Sequence, residues 1–365
     1  MNTVTMRDIA EAVGVDPSTV SRVLGNKAAE GGISLELADR IFRKAVEMRY
    51  LPNHHARAVR TGRSGCVALL LSTIEGRSYL PRRLLDGIHD QLANSNQHLT
   101  VAKVPDEKLQ QSEYVPAMLR TVMSDGLLIN YTHHVPNYLV RMVEDRGIPA
   151  IWINTSRDAD CVYPQNAAAA TQATRRLLEM GHRDIAFLDL CISNTELADY
   201  HISSHDRQRG YESAMRAASL TPRTIRATHA CITIDAERSF LLSWLKRREQ
   251  RPTAIICYAA IFLPSLLWAA NELEILIPRD LSLITFGSED YQNLRLPVDA
   301  MIEPDYVMGT SAVDLLQRKI ASPQDRFPAL APPFSQLKHG SVGYGPYSGN
   351  SSTRTDVMHS VVAAT

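Results

Sequence analysis

The stretch Val15-Asp16-Pro17-Ser18-Thr19-Val20-Ser21-Arg22-Val23-Leu24 starts a helix in an unusual way. Asp16 is a natural N-cap, and Pro17 suits the first helical position, where its missing N–H would have had no helical partner. Ser18, Thr19 and Ser21 then crowd the first turn and a half, where most helices carry stronger helix formers. Arg22 follows directly. The pattern asks for a helix whose N-terminal end is short, polar and free to approach something.

The flanks supply the context. Thr5 with Asp8 makes a capping box, and Ile9, Ala10 and Val13 follow at helical spacing. Gly14 ends that helix, and Asp16 opens the next after a turn of about three residues. A third helix is predicted after Gly31-Gly32, capped by Ser34, with Leu37, Ile41, Ala45 and Met48 on one face. Two short helices joined by a tight glycine turn make a helix-turn-helix. In such a motif the second helix enters the major groove by its N-terminal end. Short hydroxyls there reach phosphates or base edges, the first amides favour phosphate, and Arg22 can take a bidentate guanine contact.

Total charge is silent, because Lys+Arg and Asp+Glu are both 39. Its distribution is informative: residues 1–65 hold 10 basic and 7 acidic side chains. No acidic residue falls between Glu47 and Glu75, whereas Arg49, Arg57, Arg60 and Arg63 do, as a phosphate-facing segment requires. The five cysteines (66, 161, 191, 231, 257) are widely spaced and form no CxxC pair. That pattern points to reduced thiols in a cytoplasmic protein rather than to a disulfide frame or a zinc site. Arg7 and Asp8 interrupt the start before any apolar run of a signal peptide. The run 254–270, "AIICYAAIFLPSLLWAA", is short for a membrane span, and Pro264 divides it into a strand and a helix start.

From Cys66 onward the texture changes. Apolar runs recur at "CVALLL", "HLTVAKV", "GLLIN", "IPAIWIN", "DIAFLDL", "TAIICY" and "LSLITF", separated by amphipathic stretches over 81–93, 138–145, 167–180 and 237–247. Continuous apolar strands between helices mean a parallel sheet covered on both faces. The length is too great for one sheet of such strands, so two doubly wound α/β halves are expected, with a ligand cleft at the C-terminal strand ends. The tail 343–365 is small and polar and is expected to lack fixed structure. Nothing reads as catalytic. His54-His55 and His133-His134 lack metal-ligand spacing, Ser193 and Ser265 lack a nucleophile elbow, and no glycine-rich phosphate loop follows a strand. No enzyme activity, cofactor or metal is expected.

The segments "VTMRDIAEAVGVDPSTVSRVLGNK" (4–27) and "RYLPNHHARAVRTGRSGCVALLL" (49–71) resemble, nearly residue for residue, the DNA-binding end of the lactose-repressor (LacI/GalR) family of bacterial transcription regulators. The resemblance continues in weaker form to about Val342. It implies a helix-turn-helix domain over 1–50, a hinge helix or linker over 51–63, and a periplasmic-binding-protein-like core of two α/β subdomains over 64–342. It further implies a homodimer, acting as a repressor, on double-stranded, pseudo-palindromic operator DNA. By position, Pro17, Ser18 and Arg22 would face bases, and Thr5, Thr19, Ser21, Asn26 and Ser34 would face phosphates. In the hinge, Asn53 would cap, Ala56 would allow close approach, and Val59 would stand where the family usually has a leucine wedge, giving a shallower kink in the minor groove. The loop 25–34 is longer than usual.

The same resemblance places Tyr79, Asn130, Asn154 and Arg207 in the lining of an effector cleft, with Glu303 near the crossover between subdomains. Departures are as informative. Ala259-Ala260 replaces the family's usual Asn-Asp, and Gly287 replaces an aspartate, so two acceptors of sugar hydroxyls are gone. Arg207 is then expected to lack an acidic counterweight, which would favour a small-molecule effector that is acidic or not a sugar. Ser288, Glu289 or Asp290 could restore a sugar site by a shift of the loop. The alternative to effector control is a regulator governed by a protein partner, or by nothing, with the core as a dimerisation scaffold. Convergent polar groups in the cleft would favour the first and apolar filling the second.

Overall fold

The computed structural model describes residues 4–25, 32–50, 63–74, 77–105, 124–132, 135–191, 201–227 and 233–348. Asn26, Asn53, Ala56, Val59, the two histidine pairs and Ser193 lie outside them. Backbone contacts divide the chain into two units, Met1–Ser64 and Gly65–Thr365.

The first unit holds three helices, α1 (Met6–Val13), α2 (Pro17–Leu24) and α3 (Leu35–Glu47). Both sides of the expected capping box form at Thr5 and Asp8, and Gly14 closes α1 in the left-handed conformation (φ 72°), which costs glycine little. Ile9, Ala10, Val20, Val23, Ala38, Ile41 and Ala45 make the core between the helices. Leu37 and Met48, expected on the inner face of α3, pack only at its margin.

The second unit contains two sheets. The first has the order β2-β1-β3-β4-β5, built from β1 (Cys66–Ser72), β2 (His98–Val104), β3 (Gly126–Asn130), β4 (Ala150–Ile153) and β5 (Cys161–Val162). All its pairings are parallel. The helices α4 (Arg82–Asn94) and α5 (Asn137–Asp145) belong to this half. Apolar clusters lie on both faces, one around Leu69, Ile88 and Leu128, the other around Leu70, Ile129 and Trp152. Alternate residues of one strand thus feed two different cores, which is why these strands read as unbroken apolar runs.

The second sheet needs α6 (Asn166–Glu179), β6 (Ile185–Leu188), α7 (Ile202–Ala217), β7 (Arg223–Ile225), α8 (Ile234–Leu245), β8 (Ala254–Cys257), α9 (Leu263–Glu272), β9 (Ser282–Gly287) and β10 (Asp299–Ile302). The chain then returns to the first half as α10 (Asp305–Ala321) before adding β11 (Ser335–Leu337). The order is β11-β10-β9-β8-β6-β7, parallel except for β11 on β10. All seven expected strands and four expected helical stretches are present. The run 254–270 is β8 and α9, with Pro264 in the first turn of the helix. No helix among the described residues is long and apolar enough to cross a membrane.

The chain passes between the halves at 163–165, 303–304 and 331–334. The first and third crossings run side by side, joined by Tyr163 N–H donating to Leu330 O (3.1 Å) and Gln165 N–H to Pro332 O (3.2 Å). Helix α10 lies against α4 so closely that a Cβ on Gly87 would sit 2.3 Å from Tyr306 O, and one on Gly309 2.4 Å from Leu84 O. Residues 343–348 differ from the expectation of a tail without fixed structure. Gly345 N–H donates to Met180 O (2.8 Å), and Tyr347 N–H to Gly181 O (3.2 Å). His182 lies between Thr253 Oγ1 (2.9 Å) and Gly343 O (3.1 Å). Backbone pairing does what the small polar side chains cannot.

Candidate nucleic-acid interface and ligand cleft

In α2 the Asp16 carboxylate accepts from Ser18 N–H (2.8 Å), fixing the first turn. The Ser18 donors also hold the Asp16 carboxyl below the usual carboxylate range. Val20 and Val23 are buried against α1 and α3, which orients the rest of the helix. Pro17, Ser18 and Arg22 are exposed, with Ser18 and Arg22 four residues apart on one face. Thr19 and Ser21 are half-buried beside them. Ser18 and Arg22 therefore share a face, and Pro17 stands exposed at the N-terminal end of the helix.

Thr5 and Ser34, assigned to phosphates by position, also perform the capping duties expected of them. The Thr5 hydroxyl caps α1 and donates to Asp8 Oδ2 (2.8 Å), while Ser34 Oγ accepts from Leu37 N–H (3.3 Å) as the cap of α3. Both side chains are exposed at helix N-termini, where backbone amides suit a phosphate as well as a hydroxyl does.

In the second unit, polar side chains gather at the C-terminal ends of parallel strands in both sheets. Asn130 ends β3, and Asn154 follows β4. Asn130 is fully buried, donating Nδ2–H to Tyr79 O (2.8 Å) and accepting from Asn154 Nδ2 (3.2 Å). Asn154 holds a left-handed backbone (φ 61°), which asparagine tolerates. Tyr79 has an exposed ring and lies near Ser288, which follows β9 in the other half. Burial pushes its phenol pKa up.

Arg207, on α7, is 3% exposed, and each of its three guanidinium nitrogens donates a hydrogen bond. Its Nε donates to Asn166 Oδ1 (2.9 Å), Nη1 to Tyr258 O (3.0 Å) and Nη2 to Glu303 Oε1 (2.7 Å). The guanidinium lies 4.5 Å from the Phe286 ring centre, 5.2 Å from Tyr258 and 5.5 Å from Phe334. The expectation of an arginine without an acidic counterweight does not hold. Glu303, reached only when the chain arrives at the end of β10, supplies the charge that Ala259, Ala260 and Gly287 cannot. A side chain on Gly287 would also crowd Tyr291, whose ring atoms lie 3.1 Å from the ideal Cβ position. Of Ser288, Glu289 and Asp290, which could restore hydroxyl binding by a shift of the loop, Glu289 is engaged elsewhere in this structure. That carboxylate is committed to Arg83 Nε (2.9 Å) and Tyr306 N–H (3.3 Å).

Several polar groups at these strand ends escaped the sequence reading. Asp189, fully buried just beyond β6, accepts from Ser204 Oγ (2.5 Å) and Cys191 N–H (3.0 Å), and burial raises its pKa. Ser203 Oγ meets Tyr258 OH at 2.7 Å. One available signal was positional. Asp189 and Tyr258 are the first polar residues after an apolar parallel strand, the place where doubly wound sheets bind ligands.

These features define a two-unit chain, with a helix-turn-helix whose second helix is exposed on one side and a two-sheet core with polar side chains gathered at the C-terminal strand ends. Residues 5–53 match the family described as bacterial regulatory proteins, lacI family, and residues 174–338 match the periplasmic binding protein-like domain. The chain is thus similar to bacterial regulatory proteins of the lacI family at its N-terminal end and to periplasmic binding proteins in its core. It is 25% identical over 320 residues to a probable HTH-type transcriptional regulator, EndR, of Paenibacillus polymyxa, covering 87% of this chain and 90% of that one. With the HTH-type transcriptional repressor PurR of Edwardsiella ictaluri it shares 24% identity over 350 residues, 94% of this chain and 98% of the relative. A crystal structure of the lac repressor dimer bound to operator and the anti-inducer ONPF superposes with a TM-score of 0.72 at 18% identity, covering 94% of this chain and all of the other.

Proposed function

We propose that this protein is a cytoplasmic repressor that binds a pseudo-palindromic operator as a homodimer and is gated by a small molecule in the cleft of its core. The observation that carries the DNA half is α2, a capped helix pinned by Val20 and Val23 that leaves Pro17, Ser18 and Arg22 exposed. Pro17, Ser18 and Arg22 read bases, while Thr5, Thr19, Ser21, Asn26 and Ser34 hold phosphates. The hinge segment 51–63, with Asn53, Ala56 and Val59, enters the minor groove between half-sites. Selection from random duplexes is expected to return a two-fold motif. Arg22→Ala should cost ~1–3 kcal/mol on the selected site and relax preference at one base pair per half-site. A selection that returned no palindrome would sink this reading.

The gate rests on the polar convergence of Tyr79, Asn130, Asn154, Arg207 and Glu303, with Asp189, Ser203 and Tyr258 alongside. Because Glu303 matches Arg207, the excess positive charge that would draw an acidic ligand is absent, and an uncharged hydrogen-bonding effector fits better. A thermal-shift screen of neutral sugars, acidic sugars, organic acids and nucleobases should show its largest stabilisation with an uncharged compound. Stabilisation confined to the acids would refute it.

One observation favours a second reading, in which the core is only a dimerisation scaffold or answers to a protein partner. The donors of Arg207 and the amide of Asn130 are satisfied within the protein. That reading predicts no stabilisation by any compound.

A further inference from the structure

The turn Glu289–Leu294 belongs to the second half of the core, yet its first carboxylate reaches the first. Glu289 Oε2 accepts from Arg83 Nε on α4 (2.9 Å), and Oε1 accepts from Tyr306 N–H on α10 (3.3 Å). In return, Asp305 Oδ2 accepts from Glu289 N–H (3.1 Å). Arg83 lies 4.7 Å over the Tyr306 ring, and Tyr79 lies near Ser288 alongside. This clasp spans the two halves immediately beside the crossing at 303–304.

Its electrostatics are unbalanced. Asp305 is 2% exposed, and none of the described ion pairs includes it. Facing it are Glu303 at the end of β10, Glu289 and Asp290 on the turn, and Tyr79 from the segment before α4. The nearby cations are otherwise engaged: Arg83 with Glu289 and Asp86, Arg207 with Glu303. Several carboxylates this close in a buried place cannot all ionise at moderate cost.

We propose that the clasp is a proton-linked latch, in which a proton on Asp305 holds the two halves together and its loss drives the 289–294 turn away from α10. Burial and the neighbouring carboxylates lift Asp305 from the ordinary 3.8 to about 8. In the unclasped core the group returns toward its ordinary value. The clasped form therefore keeps a proton that the open form releases. The latch is strongest in acid, weakens as pH rises toward about 8, and levels off above it, where both forms are ionised. This holds whether or not the cleft takes a ligand.

The test is amide exchange in the full-length protein between pH 5.5 and 9, corrected for the intrinsic base-catalysed rate. Protection over 289–294 should fall about tenfold per pH unit below 8 in excess of that correction, the slope of one proton, and then level off. Asp305→Asn keeps a carbonyl for the Glu289 amide but cannot ionise, so its excess slope should vanish. Asp290→Asn removes one repelling charge, so its levelling point should move to lower pH, a result that also serves if Asp305→Asn fails to fold. An equal excess slope in Asp305→Asn, none in the wild type, or an unmoved levelling point in Asp290→Asn overturns the proposal.

Discussion

Truncating Arg207 to alanine should lower the stability of the core by about 3 kcal/mol, the low end for breaking a buried pair, because Glu303 keeps 19% of its side chain exposed. In a core of this size that is a fall on the order of 5–10 °C in Tm. The loss arises less from the vanished ion pair than from what stays behind. Glu303 would lose its cation, and Asn166 Oδ1 and Tyr258 O would lose a donor. Removing both charges, with Arg207→Met and Glu303→Leu together, should cost less than Arg207→Ala alone, since no uncompensated carboxylate remains. Calorimetry of the two single variants and the double decides it; additive losses would show that the two residues act independently.

Gly210→Ala is expected to be nearly as damaging, and its sign is diagnostic. Gly210 lies inside α7, where alanine is favoured over glycine by ~1 kcal/mol. Propensity alone predicts a more stable protein. The structure predicts the reverse, because the new Cβ would stand 2.1 Å from Ala167 O and 2.9 Å from Ala167 C on α6. Those are backbone atoms, so the helices must separate, at a cost of about 3 kcal/mol. The damage also reaches the cleft, because α7 carries Arg207 and α6 carries its partner Asn166. A raised Tm for Gly210→Ala would contradict the close packing of α6 on α7.

The helix-turn-helix was legible because every local signal agreed: the Thr5–Asp8 box, Gly14, Asp16 before Pro17, and Ser34. The parallel strands were legible because burial on both faces leaves unbroken apolar runs. Helix α7 was not, since the buried face of "ISSHDRQRGYESAMRA" begins with Ser203, Ser204 and Arg207 and turns apolar only from Tyr211, Ala214 and Met215 onward. Nor was the partner of Arg207. Glu303 is 96 residues away, and only the order of strands in the second sheet brings the end of β10 beside α7. Local rules find caps and runs; pairings that depend on sheet order require the fold.

The three crossings between the halves have a mechanical meaning. Two of them, 163–165 and 331–334, are hydrogen-bonded to each other and so form a single stiff strap. The third, at 303–304, is a second attachment. Two bodies held at two places keep one easy motion, rotation about the line joining them. Shear and separation would both stretch short, extended chain. A force applied across the strand ends can therefore act only as torque about that line. At the far ends of the two sheets the same rotation becomes a long arc. The core is a lever with its fulcrum at the crossings.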